Sequence, residues 1–139
     1  MRPTISMAMI IKNEKANLPR LFASVKDCFD EIHITDTGST DGSIEWLKEN
    51  GSRHAGCPVF VHHFDWCDDF AKARNYAFSH VKTDFVFWMD ADDVLSDKLK
   101  FIQWRDYAME HADYWLANYH YAIDGHGRPQ CTFVRERVI

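Results

Sequence analysis

The chain has 139 residues, of which 46% are hydrophobic and 27% charged, and a formal net charge of −5. This is one globular domain's worth of sequence, able to bury roughly two-thirds of its unfolded surface, and its composition excludes a disordered tail. The acidic balance argues against a nucleic-acid partner, which asks for a basic face. The longest early apolar run, Ile5–Ile11 broken only by Ser6, is far short of the about 20 residues of a membrane span and lacks the flanks of a signal peptide. The chain therefore reads as cytoplasmic, either free or peripheral at the inner face of a membrane. Four scattered cysteines (Cys28, Cys57, Cys67, Cys131) show no C-x-x-C spacing and read as free thiols.

In chain order, Ile5–Ile11 reads as a buried strand. Leu18, Leu21, Phe22, Val25 and Phe29 then share one helix face, with Pro19 tolerated in the first turn. Ile32–Asp36 is a second strand. Gly38-Ser39-Thr40-Asp41-Gly42 is a turn in which Thr40 or Asp41 caps a helix carrying Ile44 and Leu47 and ending at Gly51. Val59–His63 is a third strand. Asp68 or Asp69 then caps a helix whose apolar face is Phe70, Ala73, Ala77, Phe78 and Val81. Phe85–Met89 is a fourth strand, and Ser96 caps a helix with Leu99, Ile102 and Met109. Apolar strands alternating with amphipathic helices predict an α/β fold with right-handed crossovers and a mainly parallel sheet. From Tyr114 onward the pattern changes to strand period, and Asp124–Pro129 is turn chemistry, so a C-terminal antiparallel hairpin is expected. At that period Trp115, Tyr119 and Tyr121 read as hairpin core, with stacking on a sugar as the other use of such rings.

Ligands of open α/β sheets bind at the carboxyl ends of the strands. Here those ends carry Asn13 and Glu14, then Asp36, Thr37, Gly38 and Ser39, then Asp65, Asp68 and Asp69, and finally Asp90, Asp92 and Asp93. Residues 65–97 hold eight acidic and three basic residues, so the whole net charge resides there and the rest of the chain is balanced. Asp36 and Asp68 have an alternative use in turns and caps. Three carboxylates crowded after a buried strand call for a cation or strong donors. Only Lys12, Lys72 and Arg74 offer positive charge nearby in the linear pattern. A phosphate ligand would then need a divalent metal, Mn2+ or Mg2+, to bridge it to the acids. Carboxylates also suit ribose hydroxyls and base N–H groups, and Gly38 permits close backbone approach. The chemistry suggested is metal-assisted handling of a nucleotide diphosphate.

Four segments carry a family resemblance. Ile5 to Glu14 resembles the opening strand and N-E pair of family 2 glycosyltransferases, and Ile34 to Ser43 resembles their D-G-S-T-D-G loop. Asp69-Phe70-Ala71-Lys72-Ala73-Arg74-Asn75 is similar to a D-F-A-x-A-R-N segment of one branch, and Phe87 to Asp93 to the strand ending in D-x-D. The resemblance implies a Rossmann-like GT-A fold that binds a nucleotide-sugar donor, usually a uridine diphosphate (UDP) sugar, and an inverting, metal-dependent transfer to a hydroxyl of a glycan, lipid-linked or protein acceptor. It further implies that Asp36 lies at the base or ribose, that Glu14 supports the nucleoside pocket, and that Arg74 lies near base or diphosphate. The donor-binding set is then Asn13, Glu14, Asp36, Gly38, Ser39, Arg74, Asp90 and Asp92, with Asp92 and Asp90 as metal ligands.

Thr37 stands where many members have a second Asp. Members also continue for about a hundred residues or more, in a domain of typical size. Residues 1–139 are accordingly expected to form a single nucleotide-sugar-binding domain that stops before the acceptor and catalytic-base region. Glu110, His111, His120 and Glu136 are chemically able bases, but none sits in a matching motif, so no catalytic residue is assigned. Two other readings compete: a nucleotide-sugar-binding module without turnover, and a haloacid-dehalogenase-type phosphatase in which Asp90 of Asp90-Ala91-Asp92-Asp93-Val94 is the nucleophile.

Overall fold

The computed structural model of the chain describes residues 2–111 in full and residues 115–123 and 129–138 as strand backbone. The first apolar run becomes β1 (Ile5–Ile11), every residue of it buried except the half-buried Ile10. It lies between β2 (Glu31–Asp36) and β4 (Phe85–Trp88) and runs parallel to both, in registers Met9↔Ile34 and Ala8↔Trp88. β3 (Val59–His63) adds to the outer side of β2, also parallel. β5 (Trp115–Ile123) and β6 (Pro129–Val138) pair antiparallel, and the full strand order is β3-β2-β1-β4-β6-β5. Of the expected turn Asp124–Pro129, residues 124–128 lie outside the described residues and Pro129 begins β6. The side chains of Trp115, Tyr119, His120, Tyr121, Cys131 and Glu136 also lie outside them.

The helices cover the sheet for the reasons their sequences suggest, with four differences. α1 (Leu18–Val25) buries Leu18, Leu21, Phe22 and Val25 completely. It stops at Val25, because Lys26 leaves helical geometry and Asp27 takes a φ of 64°. Phe29 still reaches the core through this turn, packing on Phe87 and Phe101 with ring centroids 5.6 and 5.5 Å away. Burying each side chain of this size contributes about 1.5–3 kcal/mol, so α1 is firmly seated.

The second helical stretch continues past Gly51. α2 (Ser43–Trp46) passes through a π-helical turn at Leu47–Gly51 into α3 (Ser52–Ala55). Gly51 keeps ordinary helical geometry, and a Cβ there would make only van der Waals contact with Val59, so it does not end the helix. The stop is Gly56, left-handed at φ 74°, where a Cβ would collide with the Asp27 carboxylate. At the other end the N-cap is Gly42 and not Thr40 or Asp41, although Asp41 Oδ1 accepts the Ser43 N–H at 3.0 Å from one residue earlier.

α4 (Phe70–Ser79) is capped by Asp69, whose Oδ1 accepts the Lys72 N–H at 3.1 Å. Its buried contacts are only Ala73 and Ala77, and Val81 lies beyond its end. Phe70 is 71% exposed, because it opens the helix at the rim of the sheet. α5 (Lys98–His111) is capped by Asp97 and not by Ser96. Asp97 directly precedes the first helical residue, and its Oδ1 accepts the Lys100 N–H at 3.0 Å. Its buried face is Phe101, Arg105, Ala108 and Met109, whereas Leu99 is 71% exposed.

The two faces of the sheet differ. Met7, Met9, Ile11, Ile32 and Ile34 join α1 in the apolar core. The opposite face near α4 is polar: His33 Nδ1 lies 3.0 Å from His62 Nε2, and the His62 ring stacks on His80 at 3.8 Å. Thr35 Oγ1 and His80 Nε2 are buried there without a hydrogen-bond partner among the described residues. Among the described residues, no helix is long and apolar enough to cross a membrane.

Candidate functional site

Because β1 to β4 run parallel, their carboxyl ends open onto one edge, and the loops there are tied together by backbone-to-side-chain hydrogen bonds. Asn13 adopts a φ of 54°, which directs its N–H to Ser39 Oγ (2.8 Å) and lets its Oδ1 accept the Thr40 N–H (2.7 Å). The next two amides continue the ladder, Glu14 N–H to Ser43 Oγ at 3.0 Å and Lys15 N–H to Asp41 Oδ2 at 3.0 Å. Hydrogen bonds from the Ser43 hydroxyl first, and from the backbone amides second, hold the Asp41 carboxyl below the usual carboxylate range. Glu14 accepts from Asn17 Nδ2 at 2.8 Å.

Asp36 ends β2 with only 1% exposure. Its carboxylate accepts the N–H groups of Gly38 (3.0 Å) and Ser39 (3.1 Å), and His63 Nδ1 stands 4.0 Å away. Thr37 spends its hydroxyl on the Ile11 carbonyl at 2.9 Å, stitching β2 to β1. Asp36 is therefore the internal anchor of the Gly38–Ser39 loop, the turn use that its position allowed. The acids after β3 are similarly engaged: Asp65 with His63 Nε2 at 2.7 Å, Asp68 with Trp66 Nε1 at 2.9 Å, and Asp69 as the helix cap.

A cavity of about 250 Å³ opens beside these loops, lined by Ile10, Ile11, Lys12, Glu14, Thr37, Trp66 and Phe70. Trp66 and Phe70 meet edge to face, 4.7 Å between centroids, and form its aromatic wall. The helical spacing of Phe70 assigned it to a buried face; its place directly after the cap was the signal that it lies at the rim. Of the sequence-derived set, Glu14 lines this cavity, while Asn13, Asp36, Gly38 and Ser39 build the loops beside it.

The other half of the edge is acidic. Asp90, Asp92 and Asp93 each offer a carboxylate oxygen, and these oxygens lie within 4.8 Å of one another. Within the loop the Asp90 N–H donates to Asp93 Oδ2 at 3.2 Å. Arg74 places its guanidinium carbon 4.2 Å from the Trp88 ring centroid, on the strand that leads into this loop. Positive charge comes from one further residue that linear order did not reveal: Arg20 of α1 donates to the Asp92 carbonyl at 3.1 Å. Glu110 and His111 sit in the last turn of α5, where the His111 Nδ1–H donates to the Tyr107 carbonyl at 2.7 Å. Neither lines the cavity.

The chain resembles known proteins in both sequence and fold. The chain is 40% identical over 91 residues to a TPR repeat-containing protein of Synechococcus elongatus, covering 66% of this chain and 21% of that protein. It is 31% identical over 98 residues to the SPbeta prophage-derived glycosyltransferase SunS of Bacillus subtilis, covering 70% of this chain and 22% of the relative. The chain thus spans about a fifth of the length of these relatives. Among solved structures, a Pyrobaculum calidifontis mannosyltransferase in complex with GDP-Man and Mn2+ superposes with a TM-score of 0.61 at 20% identity, over 70% of this chain and 30% of that one. Staphylococcus aureus TarS 1–349 in complex with UDP-GlcNAc gives a TM-score of 0.63 at 19% identity, over 78% of this chain and 32% of that one. These neighbours show a GT-A fold. The Glycosyl transferase family 2 model matches residues 6–131, and the chain belongs to that family.

Proposed function

We propose that this edge of the sheet binds the nucleotide diphosphate of a sugar donor, with a UDP sugar as the donor class, for inverting transfer to an acceptor hydroxyl. The observation that carries this reading is the grouping of the Asp90, Asp92 and Asp93 carboxylate oxygens at the end of β4, on the same edge as the aromatic-walled cavity. A base would pack in a cavity lined by Trp66, Phe70, Ile10 and Ile11, while Glu14 offers an acceptor for a ribose hydroxyl or base N–H.

Hard carboxylate oxygens this close suit Mn2+ or Mg2+, and Asp90 and Asp92 are the residues that would hold the ion. When bound, the metal would supply positive charge to offset the negative charge developing on the leaving diphosphate. This chain's residues bind and orient the donor: Arg74 stands beside the diphosphate, and the Asp36-anchored loop holds the rim of the nucleoside cavity. The acceptor hydroxyl gives its proton to a general base and attacks the anomeric carbon as the nucleoside diphosphate leaves from the opposite face.

Titration of the chain with UDP, GDP and ADP in the presence of Mn2+ tests the reading. UDP should bind with at least micromolar affinity and ahead of the other two. Absence of any nucleotide binding would overturn it. Binding without hydrolysis of, or transfer from, a UDP sugar would leave the edge as a donor-binding module.

A further inference from the structure

Three carboxylates within 4.8 Å of one another repel, and a metal site made from them has to be held in shape against that repulsion. Two hydrogen bonds from outside the loop do this, and both come from one face of α1. Arg20 Nη2 donates to the Asp92 carbonyl at 3.1 Å, and Ser24 Oγ accepts the Leu95 N–H at 3.1 Å. Arg20 and Ser24 are four residues apart, so they project from the same side of the helix, one turn from each other. α1 itself is immobilised by Leu18, Leu21, Phe22 and Val25, all at 0% exposure. The acidic segment is thus pinned at two points to a rigid element, and Arg20 meets the backbone of Asp92, so that residue's exposed carboxylate stays available.

We propose that Arg20 and Ser24 are positioning residues that hold the segment Asp90–Leu95 in the geometry its carboxylates need to share a divalent cation. This rests on the metal reading above and assigns a task to a helix face that the donor motifs do not include. The arrangement makes an unusual prediction of sign. By charge alone, removing a cation beside three carboxylates strengthens metal binding; by positioning, it weakens it.

The test is Mn2+ titration of the 139-residue chain, followed by the loss of the free-ion electron paramagnetic resonance signal, for wild type, Arg20→Met, Arg20→Lys and Ser24→Ala. Amide hydrogen exchange of residues 90–95 is measured on the same proteins without metal. Arg20→Met and Ser24→Ala should each weaken Mn2+ roughly tenfold, the scale for residues that orient metal ligands. Arg20→Lys keeps a donor and the charge and should recover most of the affinity. Exchange at 90–95 should accelerate in the first two variants while β1 stays protected. Unchanged or tighter Mn2+ binding by Arg20→Met, with the wild type binding normally, overturns the inference alone. A wild type that binds no Mn2+ overturns the metal reading and this inference with it.

Discussion

Replacing Asp36 by Ala removes a carboxylate that is 1% exposed and accepts two backbone N–H groups, from Gly38 at 3.0 Å and Ser39 at 3.1 Å. A hydrogen bond to a charged group contributes about 1.5–3 kcal/mol when its donor has no substitute. Gly38 is exposed and its N–H recovers water, so one of the two bonds counts in full and the other in part. The net loss should be about 2–3 kcal/mol. Urea unfolding followed by circular dichroism should show a lower midpoint with an unchanged slope. Asp36→Asn keeps one acceptor oxygen and should lose about half as much. The same loop supplies Ser39, Asp41 and Ser43 to the amides of Asn13, Glu14 and Lys15, so loosening it should also weaken UDP roughly tenfold. An Ala variant that unfolds at the wild-type midpoint would refute the anchoring role.

Gly56→Ala should cost about 1–2 kcal/mol in a thermal melt, since φ is 74° and the new Cβ meets the Asp27 carboxylate; Gly38→Ala meets no atom and should cost only its backbone strain. Trp66→Ala removes one wall of the cavity and should weaken UDP by about 1–3 kcal/mol, the scale of base stacking, as read by calorimetry. Burial first, then the neighbouring His80 and His33, holds the His62 imidazole below its ordinary value of 6.5. The native ring therefore binds fewer protons than the unfolded one, so stability is full above about pH 6.5 and falls as pH drops through that value. Melting temperatures at pH 7.5 and 5.5 should differ in that direction, and by less in His62→Gln.

The four parallel strands were legible because each is a short apolar run followed at once by loop chemistry, and Val59–His63 coincides with its strand residue for residue. Helix ends were less legible, for reasons of space. Gly51 and Gly56 carry the same stop signal, and only Gly56, packed against Asp27, takes the left-handed φ that ends the helix. Ser96 and Asp97 are adjacent capping residues, and the register of Lys98 selects the second. In the site, the acidic group after β4 was visible because its three members lie within four residues. Arg20 was not, because on its own helix it is only a polar position, and its partner Asp92 lies 72 residues further along the chain. Phe70 illustrates the reverse: periodicity assigned it to the core, but its position at the helix start leaves it at the rim.

The most direct test of the account is UDP titration of the wild-type chain and of Asp92→Asn, each with Mn2+ and with a chelator. The three carboxylates and the diphosphate are all negative, and each like-charge pair at about 4 Å costs on the order of 4 kcal/mol at an effective dielectric near 20. The account predicts micromolar binding by wild type in Mn2+, little in chelator, and a loss of metal-dependent affinity in a still-folded Asp92→Asn. Equal binding of UDP by the wild type in chelator and in Mn2+ would contradict it.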